Sequence, residues 1–581
     1  MKSILCALWT AVSLGALAQG SFVPLGTDAY HYVDRMDIKY GRILPTLHTG
    51  TKPFLRGEVA HMAEALHYSN LKQSKKSKFQ IQYLMDENAE WLDSAVSKTR
   101  KPLFRALYKE PASFFSVYSK KKGLFDLHVN PVLSVFIGGD SYKNRFIFNR
   151  AIGVEFRFNI KKVLSAYVYT TGNSERNPYY ANQLSIPGAM SPYAFVPGNS
   201  YYKIYSSKYF KFNDGLDYFD ARGYINLNVL DYLNITFGRD KHFWGNGQRS
   251  LFHSDFSAPA LFLQYKLSFW RLEYVYLLEQ LTSNYLGAGS TGNDRLFPKK
   301  YGVFHHLNIK LTRWFDFGLF EGVMAKRGNN FDAQYLNPII FYRSVEHALG
   351  SPDNVLVGAD FKINAFNHMQ FYGQVVVDEF NFKNMIARNG WWANKYGFQL
   401  GIKYIDLAPH LDLQAEFNLV RPFTYTHPGE ISFTNYNQPL AHPLGANFYE
   451  FILAARYQPI PRLLMEAKFL TARTGTDTAM MVSGQPVLTN YGGDLSRIDG
   501  PTREYQNTIG QGNKTWITYF SLNTSYQPWH NIYLDLTLTY RNASAGTTVN
   551  PYPAGYGPHA SSSFFVTVGA RMNITRRKFE F

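Results

Sequence analysis

Residues 514–541, KTWITYFSLNTSYQPWHNIYLDLTLTYR, contain two stretches in which side chains alternate in polarity. From Ile532 to Arg541 the even positions are apolar or aromatic, and the odd positions are mostly polar. Side chains of a β-strand point alternately to its two faces, so each stretch predicts a strand with one apolar face. Each stretch is about ten to twelve residues long, which is enough to cross a bilayer at a tilt. The segment therefore predicts one hairpin of a transmembrane β-barrel.

The composition agrees with such a barrel. Aromatic residues make up 17% of the 581 residues, with 42 Tyr and 46 Phe. Outer-membrane barrels need many aromatic side chains for the girdles at both membrane interfaces. The mean hydropathy is −0.25, and beyond the N-terminus we find no apolar run of about 18 residues that would predict a membrane helix.

The first residues predict an export signal. Lys2 supplies a positive charge, residues 4–17 are apolar, and Ala16-Leu17-Ala18 fits a cleavage site. We therefore interpret residues 1–18 as a signal peptide. The single cysteine, Cys6, lies within it, so the mature chain is expected to have no disulfide, thiolate metal site or cysteine nucleophile. Export without a membrane helix predicts the outer membrane of a Gram-negative bacterium.

The formal net charge of +17 indicates anionic partners. Nucleic acid is not expected for an exported barrel. Lipopolysaccharide phosphates within the outer-membrane lipid, and acidic surface polysaccharide, are the more plausible anions. The alternative is that the charge belongs to soluble ends and loops and has no particular ligand.

Residues 19–124 do not show the strand pattern. Thr27 or Asp28 can cap a first helix, and residues 58–67 and 86–98 have helical spacing of their apolar side chains. We expect a small periplasmic α-helical domain. The lysines scattered between residues 72 and 122 are either a solvated basic face or a contact surface for an anionic polymer or lipid head groups.

The period-two pattern governs residues 125–581 and predicts about 18 antiparallel strands, an even number as in bacterial single-chain barrels. Short turns follow the even strands, and nearly all long connections follow the odd ones. Because outer-membrane barrels have short periplasmic turns and long external loops, both chain ends are expected in the periplasm. The predicted strands begin near Phe125, Asn144, Lys162, Leu216, Tyr232, Ala260, Trp270, Tyr301, Phe315, Asn354, Asn367, Asn394, His410, Asn447, Ile460, Lys514, Asn531 and Ser562.

The two faces of the strands differ in charge. Leu411 and Leu413 alternate with Asp412 and Gln414, for example. A Lys or Arg that faces lipid at mid-depth costs about 2–4 kcal/mol, so the charged face must point into the lumen. The terminal Phe581 is out of phase with the last strand unless a bulge intervenes.

Two long connections stand out from ordinary loop composition: residues 238–250, GRDKHFWGNGQRS, and residues 337–346, NPIIFYRSVE. With residues 153–157, 377–380 and 47–53, they resemble the Wzi capsule-assembly family of outer-membrane barrels, closest to the branch that includes the gliding-motility protein RemB. The resemblance spans essentially the whole mature chain. It implies an 18-stranded barrel with a periplasmic helical domain and a role in holding surface polysaccharide on the cell. It does not imply an enzyme, and no cofactor is expected.

The same loops contain residue types that bind sugars. Aromatic faces and planar amides contact sugar rings, and arginine pairs bidentately with carboxylates. The alternative, which can hold at the same time, is that these segments fold inward as a plug packed by ion pairs such as Arg343 with Glu346. The candidate ligand-binding residues are Trp244, Asn246, Arg249, Tyr342, Arg343, Glu346, Trp391 and Trp392.

No catalytic or metal site is predicted. His253, Ser254 and Asp255 are adjacent in sequence, but a nucleophile, a base and an orienting group must converge in space. His305 and His306 would point to opposite faces of a strand.

The leading hypothesis is a non-enzymatic protein that binds, anchors or organises acidic surface polysaccharide. The resemblance adds gliding or adhesion as the process it would support, with motility or export machinery as partners. The alternative is a diffusion channel, since an 18-stranded barrel is wide enough for a pore. An outer-membrane enzyme that acts on lipid or glycan is the third hypothesis, and it would need Ser254 or His253.

Overall fold

A computed structural model gives the fold of the chain. It describes residues 20–41, 47–92, 112–119, 124–161, 163–181, 193–195, 201–203, 214–229, 232–283, 298–326, 333–338, 353–428, 431–482, 485–497, 499–545 and 561–580. The predicted signal peptide lies outside these residues.

Eighteen antiparallel strands form a closed barrel, as the alternation predicted. Each observed strand begins within a few residues of its predicted start. The strands are β1 Phe125–Asp140, β2 Arg145–Ile160, β3 Leu164–Arg176, β4 Leu216–Val229, β5 Leu233–Asp240, β6 Ala260–Phe269, β7 Leu272–Thr282, β8 Lys299–Lys310, β9 Phe315–Ala325, β10 Asn354–Ala365, β11 Met369–Glu379, β12 Lys395–Ala408, β13 Leu411–Val420, β14 Phe448–Ile460, β15 Leu463–Thr476, β16 Asn513–Trp529, β17 Ile532–Ala545 and β18 Ser561–Met572.

Pairing of β18 with β1 closes the barrel. The register sets Met572 opposite Leu133 and Phe565 opposite Asp140, so β18 covers only one half of β1. A short strand, Phe115–Tyr118, pairs with the other half of β1, opposite residues 126–129. The sheet therefore begins at Phe115, before the boundary expected at residue 124, and this short strand covers part of an otherwise open edge.

The barrel has two different ends. We call the end with the short turns, such as residues 270–271 and 366–368, the turn end, and the opposite end the loop end. The wall between them is apolar on its outside: Leu133, Val135 and Ile137 are 42–49% exposed there. Charged side chains of the strands point into the lumen for the most part, as expected from the cost of placing them in lipid.

Within the described residues, three α-helices precede the barrel: α1 Asp28–Tyr40, α2 Arg56–Tyr68 and α3 Lys75–Glu87. The first two match the prediction. The third was predicted at residues 86–98, but it ends at Glu87 and a 3-10 turn, Ala89–Trp91, follows. The Ser74 side chain caps its N-terminus, accepting from the Ser77 N–H, so the helix begins within the lysine-rich run. Residues 93–98 lie outside the described residues.

The helices pack around one apolar core and face the inner wall of the barrel. Val33, Met36, Val59 and Leu84 belong to this core. Among the residues that the structure describes, no helix is long and apolar enough to cross a membrane.

Ion pairs fix α1 to the inner wall. Asp412 on β13 accepts hydrogen bonds from Arg35 and from Lys76 Nζ at 3.0 Å. Asp34 accepts from Lys403 at 2.6 Å. The buried Lys76 therefore belongs to an ion-pair network, whereas Lys72, Lys75 and Lys78 around it are exposed.

Other segments also enter the lumen. Residues 241–259, 421–428 and 431–447 fold inward from the loop end and share an apolar core that includes Trp244, Phe252 and Phe433. Within them and the N-terminal segment, short strand pairs form: Thr51–Lys52 with Phe243–Trp244, and Thr434–Asn435 with Gln438–Pro439. The remaining short elements are Tyr142–Asn144, Tyr193–Phe195, Tyr201–Lys203, Ala333–Leu336, Phe382–Ile386, Thr478–Val482 and Gln485–Thr489.

The chain leaves the wall after β18 and runs back inside it. Arg577 donates two hydrogen bonds to Glu175, at 2.7 and 2.9 Å, and Tyr180 donates to the Phe579 carbonyl. The alternation of β18 therefore stops before the chain end because residues 573–580 belong to no strand, and the expected bulge is not the cause. Phe581 itself lies outside the described residues.

Candidate functional site

Trp391 and Trp392 lie at the loop end, in the connection between β11 and β12. Both are half-buried. The edge of the Trp392 ring meets Phe423 with 5.8 Å between ring centroids, and Lys395 Nζ lies 5.0 Å from the centre of the Trp392 ring. Packing therefore holds the Trp392 ring in place, as a preorganised binding surface requires, and the half-buried Trp391 precedes it in the chain.

Backbone hydrogen bonds join this connection to the one between β15 and β16. The Trp392 N–H donates to the Glu504 carbonyl at 2.9 Å, and the Asn507 N–H donates to the Gly390 carbonyl at 2.9 Å. Gly390 has φ +68°, and an added Cβ there would stand 2.8 Å from Asn507 N. Only glycine fits this close crossing without strain.

We call residues 387–394 and 499–506 the loop-end platform. Tyr505 is 44% exposed on it, and Arg388 and Arg503 are exposed as well. Exposed guanidinium and phenol groups on the same surface as half-buried indole rings match the chemistry that recognises acidic sugars.

Arg421 and Asn507 support the platform and were not among the predicted site residues. Arg421 donates from Nη2 to the carbonyls of Trp391, at 3.4 Å, and Asn507, at 3.5 Å. Sequence alone pointed to neither residue, because their partners are distant along the chain. The one available signal is that the alternation of β13, continued by one residue past Val420, places Arg421 on the outward face.

Trp244 and Asn246 lie inside the barrel, away from the platform. Trp244 is 1% exposed, and its ring centre is 5.8 Å from that of His306 and 6.1 Å from that of Phe320. Asn246 Oδ1 accepts from the Thr49 hydroxyl at 2.9 Å. These two residues pack the lumen, as the plug interpretation expected.

Arg249 connects the inward segment to the wall and to the chain end. It lies 3.3 Å from Glu450 on β14 and 2.8 Å from Glu580 in the C-terminal tail. Lys468 Nζ donates to Glu580 at 2.7 Å. Burial alone would raise the pKa of Glu580, but Lys468 and Arg249 lower it below its ordinary value. Glu580 is therefore ionised and joins two cations at neutral pH.

Tyr342, Arg343 and Glu346 lie outside the described residues, so their roles as ligand contacts stay predictions. Next to that segment, Tyr276 donates to the Tyr335 carbonyl at 2.5 Å. Tyr276 points outward from β7, so residues 333–338 cover part of the outer wall.

The adjacent His253 and Ser254 have separate partners. His253 Nε2 lies 2.9 Å from Glu279, whereas the Ser254 hydroxyl donates to the Ala441 carbonyl. His305 points outward and contacts Tyr274, and His306 points inward to Asp360, as strand geometry predicted. Among the described residues no group of His, Cys, Asp and Glu could hold a metal ion.

A cavity of about 130 Å³ remains in the lumen between residues 22–28 and the C-terminal tail. Tyr167 and Tyr224 stack along it with 5.1 Å between ring centroids. Arg222, Arg571 and Asp28 also line it, so the space is both aromatic and charged.

Barrels of known structure show a similar arrangement of strands. Wzi shares this fold. It is described as an outer-membrane protein involved in group 1 capsule assembly in Escherichia coli and as a carbohydrate-binding β-barrel; the TM-score is 0.55 at 11% identity, covering 97% of this chain and 100% of Wzi. The outer-membrane protein OprD from Pseudomonas aeruginosa gives a TM-score of 0.39 at 12% identity, covering 79% of this chain and 96% of that one. No protein-family model and no curated protein sequence matches the chain.

At this level of identity the likeness to Wzi concerns the fold. The matched 97% of the chain includes the N-terminal helices as well as the barrel.

Proposed function

We propose that this chain is a non-enzymatic outer-membrane barrel that retains acidic surface polysaccharide at its loop-end platform. The observation that carries the proposal is the filled lumen. The N-terminal helices, two inward loop segments and the C-terminal tail occupy it, fixed by buried ion pairs such as Arg249 with Glu580. An 18-stranded barrel without such contents would be wide enough for a pore, so the contents favour a binding role over the channel alternative.

The chemistry of the platform supports an acidic ligand. The half-buried Trp391 and Trp392 share the platform with the exposed Arg388 and Arg503, and the whole chain carries a formal net charge of +17. Wzi, which shares the fold, is described as carbohydrate-binding. The polysaccharide would be held outside the cell, and the helices would close the barrel from the periplasm.

The test compares cell-bound with shed acidic polysaccharide in cells that lack the gene, with total synthesis as the control. We expect unchanged synthesis and a shift of polymer into the medium. Restoring the wild-type gene should reverse the shift, and Trp391→Ala with Trp392→Ala should not. The purified double variant should bind the polymer at least about tenfold more weakly, as is typical when central aromatic contacts are lost.

Phe382→Ala is the matched control, because Phe382 is an exposed aromatic residue of the same connection, 67% exposed. We expect it to behave as wild type. Polymer that stays on the cells when the gene is absent would contradict the proposal.

We also propose that the protein supports gliding or adhesion, with motility or export machinery as partners. The sequence resemblance alone supports this part of the proposal. Cells that carry Trp391→Ala with Trp392→Ala should then glide or adhere less than cells with Phe382→Ala.

A further inference from the structure

A row of cationic and aromatic side chains crosses neighbouring strands on the outside of the wall, at the loop end. Strand pairing aligns Tyr449 with Arg473 and Arg473 with Trp516. Each of these three residues lies two or four positions from an outward-facing phenylalanine of its own strand. Because side chains of a strand alternate between its two faces, the three also face outward. The phenylalanines are Phe451, Phe469 and Phe520, in the same order. We call this row the rim patch, and it consists of Tyr396, Arg421, Tyr449, Arg473, Lys514 and Trp516.

The aromatic rings hold the guanidinium groups in place. The Arg473 guanidinium lies 5.8 Å from the centre of the Tyr449 ring and 5.5 Å from that of Trp516. Arg473 Nη1 also donates to the Tyr449 hydroxyl at 3.2 Å. Arg421 lies 5.5 Å from the centre of the Tyr396 ring. Cation–π contacts of this kind orient a cation but leave its charge unneutralised.

Among the residues that the structure describes, no acidic side chain balances these charges. Within the described part of the chain, no carboxylate lies within ion-pair distance of Arg421, Arg473 or Lys514. The described carboxylates of β12 to β17 have luminal partners instead: Asp412 contacts Arg35, Glu450 contacts Arg249, and Asp535 contacts Arg571. The outside of this part of the wall is therefore purely basic, and only near the loop end.

The surface next to the rim patch is apolar. Phe451, Phe469 and Phe520 follow it toward the turn end and are 37–44% exposed. A cationic row above a band of phenylalanines matches an amphiphile whose anionic head group lies above its acyl chains. A hydrated polysaccharide would make no favourable contact with the apolar band, whereas the acyl chains of a lipid would, so a lipid is the better match.

We propose that the rim patch binds the phosphate groups of an outer-leaflet glycolipid. This inference rests on the proposed outer-membrane location but not on polysaccharide retention. Arginine donates in a planar fork that fits phosphate oxygens, and Lys514 adds a second cation beside it. Arg421 belongs to the patch and also donates to the Trp391 carbonyl. A lipid bound at the patch would therefore contact a residue that supports the platform.

The test measures lipid binding to the full-length protein by native mass spectrometry. The probes are lipid A with both phosphates and the same lipid with the phosphates removed. Wild type should retain the phosphorylated form preferentially. Arg473→Gln with Lys514→Gln should lower its affinity about fivefold for each cation removed, since basic side chains near an anionic membrane surface contribute at this level.

Arg239→Gln is the matched control. Arg239 also faces outward near the loop end, on β5, but its guanidinium donates to the Ala221 carbonyl and it lies outside the rim patch. It should bind as wild type does. Arg473→Lys, which keeps the charge, should lose less affinity than Arg473→Gln, and heat-dependent mobility on gels would show that each variant is folded.

Equal binding of the dephosphorylated lipid would overturn the inference, and so would an equal loss in Arg239→Gln. Displacement of the lipid by acidic polysaccharide would also overturn it, because the polymer would then be the occupant. Polysaccharide retention has a separate readout, so either proposal can fail while the other stands.

Discussion

At the scale of single residues, the contact between α1 and the wall contains a histidine whose charge is sensitive to pH. His31 Nε2 lies 3.1 Å from Asp412 Oδ2, and Arg456 Nη1 lies 3.1 Å from His31 Nδ1. Burial and the nearby Arg456 lower the pKa of His31 from 6.5 to about 4. His31 is therefore neutral when docked, donating to Asp412 and accepting from Arg456.

Acidification should loosen this contact between pH 6.5 and 4. In that range the undocked histidine binds a proton that the docked one does not, so docking is fully stable above pH 6.5 and loses up to about 3 kcal/mol as the pH falls to 4. Resistance of the helices to added protease should decline over this range. In His31→Gln the decline should be smaller, whereas His67→Gln, which changes an exposed histidine, should follow wild type. An unchanged decline in His31→Gln would contradict the assignment.

At the scale of elements, the strands could be predicted and the contents of the lumen could not. A strand such as β17 shows its two faces within ten residues, because period-two alternation is a local pattern. Whether residues 241–259 fold outward or inward depends on partners such as Glu416 and Glu450, which lie more than a hundred residues away. The start of α3 lies within the lysine-rich run and was not predicted, because the pairing of Lys76 with Asp412 is not visible locally.

The same reasoning applies to the candidate site. Residue type alone selects Trp391 and Trp392 as candidate ligand contacts, and the structure places them at the loop end. Residue type also selects Trp244, which is buried in the lumen. Aromatic side chains serve binding surfaces and apolar cores alike. Only the long-range packing separates the two uses.

Docking of the helices should depend on one carboxylate of β13. Asp412 lies within 4 Å of Arg35, Lys76 and His31. Asp412→Asn would leave buried cations without their main partner, which costs about 3–5 kcal/mol when one member of a buried pair is removed. In planar bilayers we expect a closed wild type and intermittent openings in Asp412→Asn.

Asp499→Asn is the control for this measurement, because Asp499 pairs with Arg497 and its side chain is 51% exposed. Exposed pairs contribute about 0–1 kcal/mol. Large steady currents through the wild type would contradict the closed lumen and favour the channel alternative.

At the scale of the whole molecule, the orientation in the membrane can be tested directly. The single cysteine of the chain, Cys6, lies in the predicted signal peptide, so an introduced cysteine would be the only thiol of the mature protein. Arg503→Cys at the loop end should react with a membrane-impermeant maleimide on intact cells. Arg313→Cys at the turn end should react only after the outer membrane is opened. The reverse pattern would contradict the proposed orientation.

The contact between α1 and β13 also constrains the order of assembly. Arg35 and Asp412 are 377 positions apart in the chain, so the segment that is exported first finds its partner only after most of the wall has been made. We therefore expect the helices to dock only after β13 has formed. Until then the N-terminal segment would be undocked, and a chaperone that holds the unfinished chain would meet it in that state.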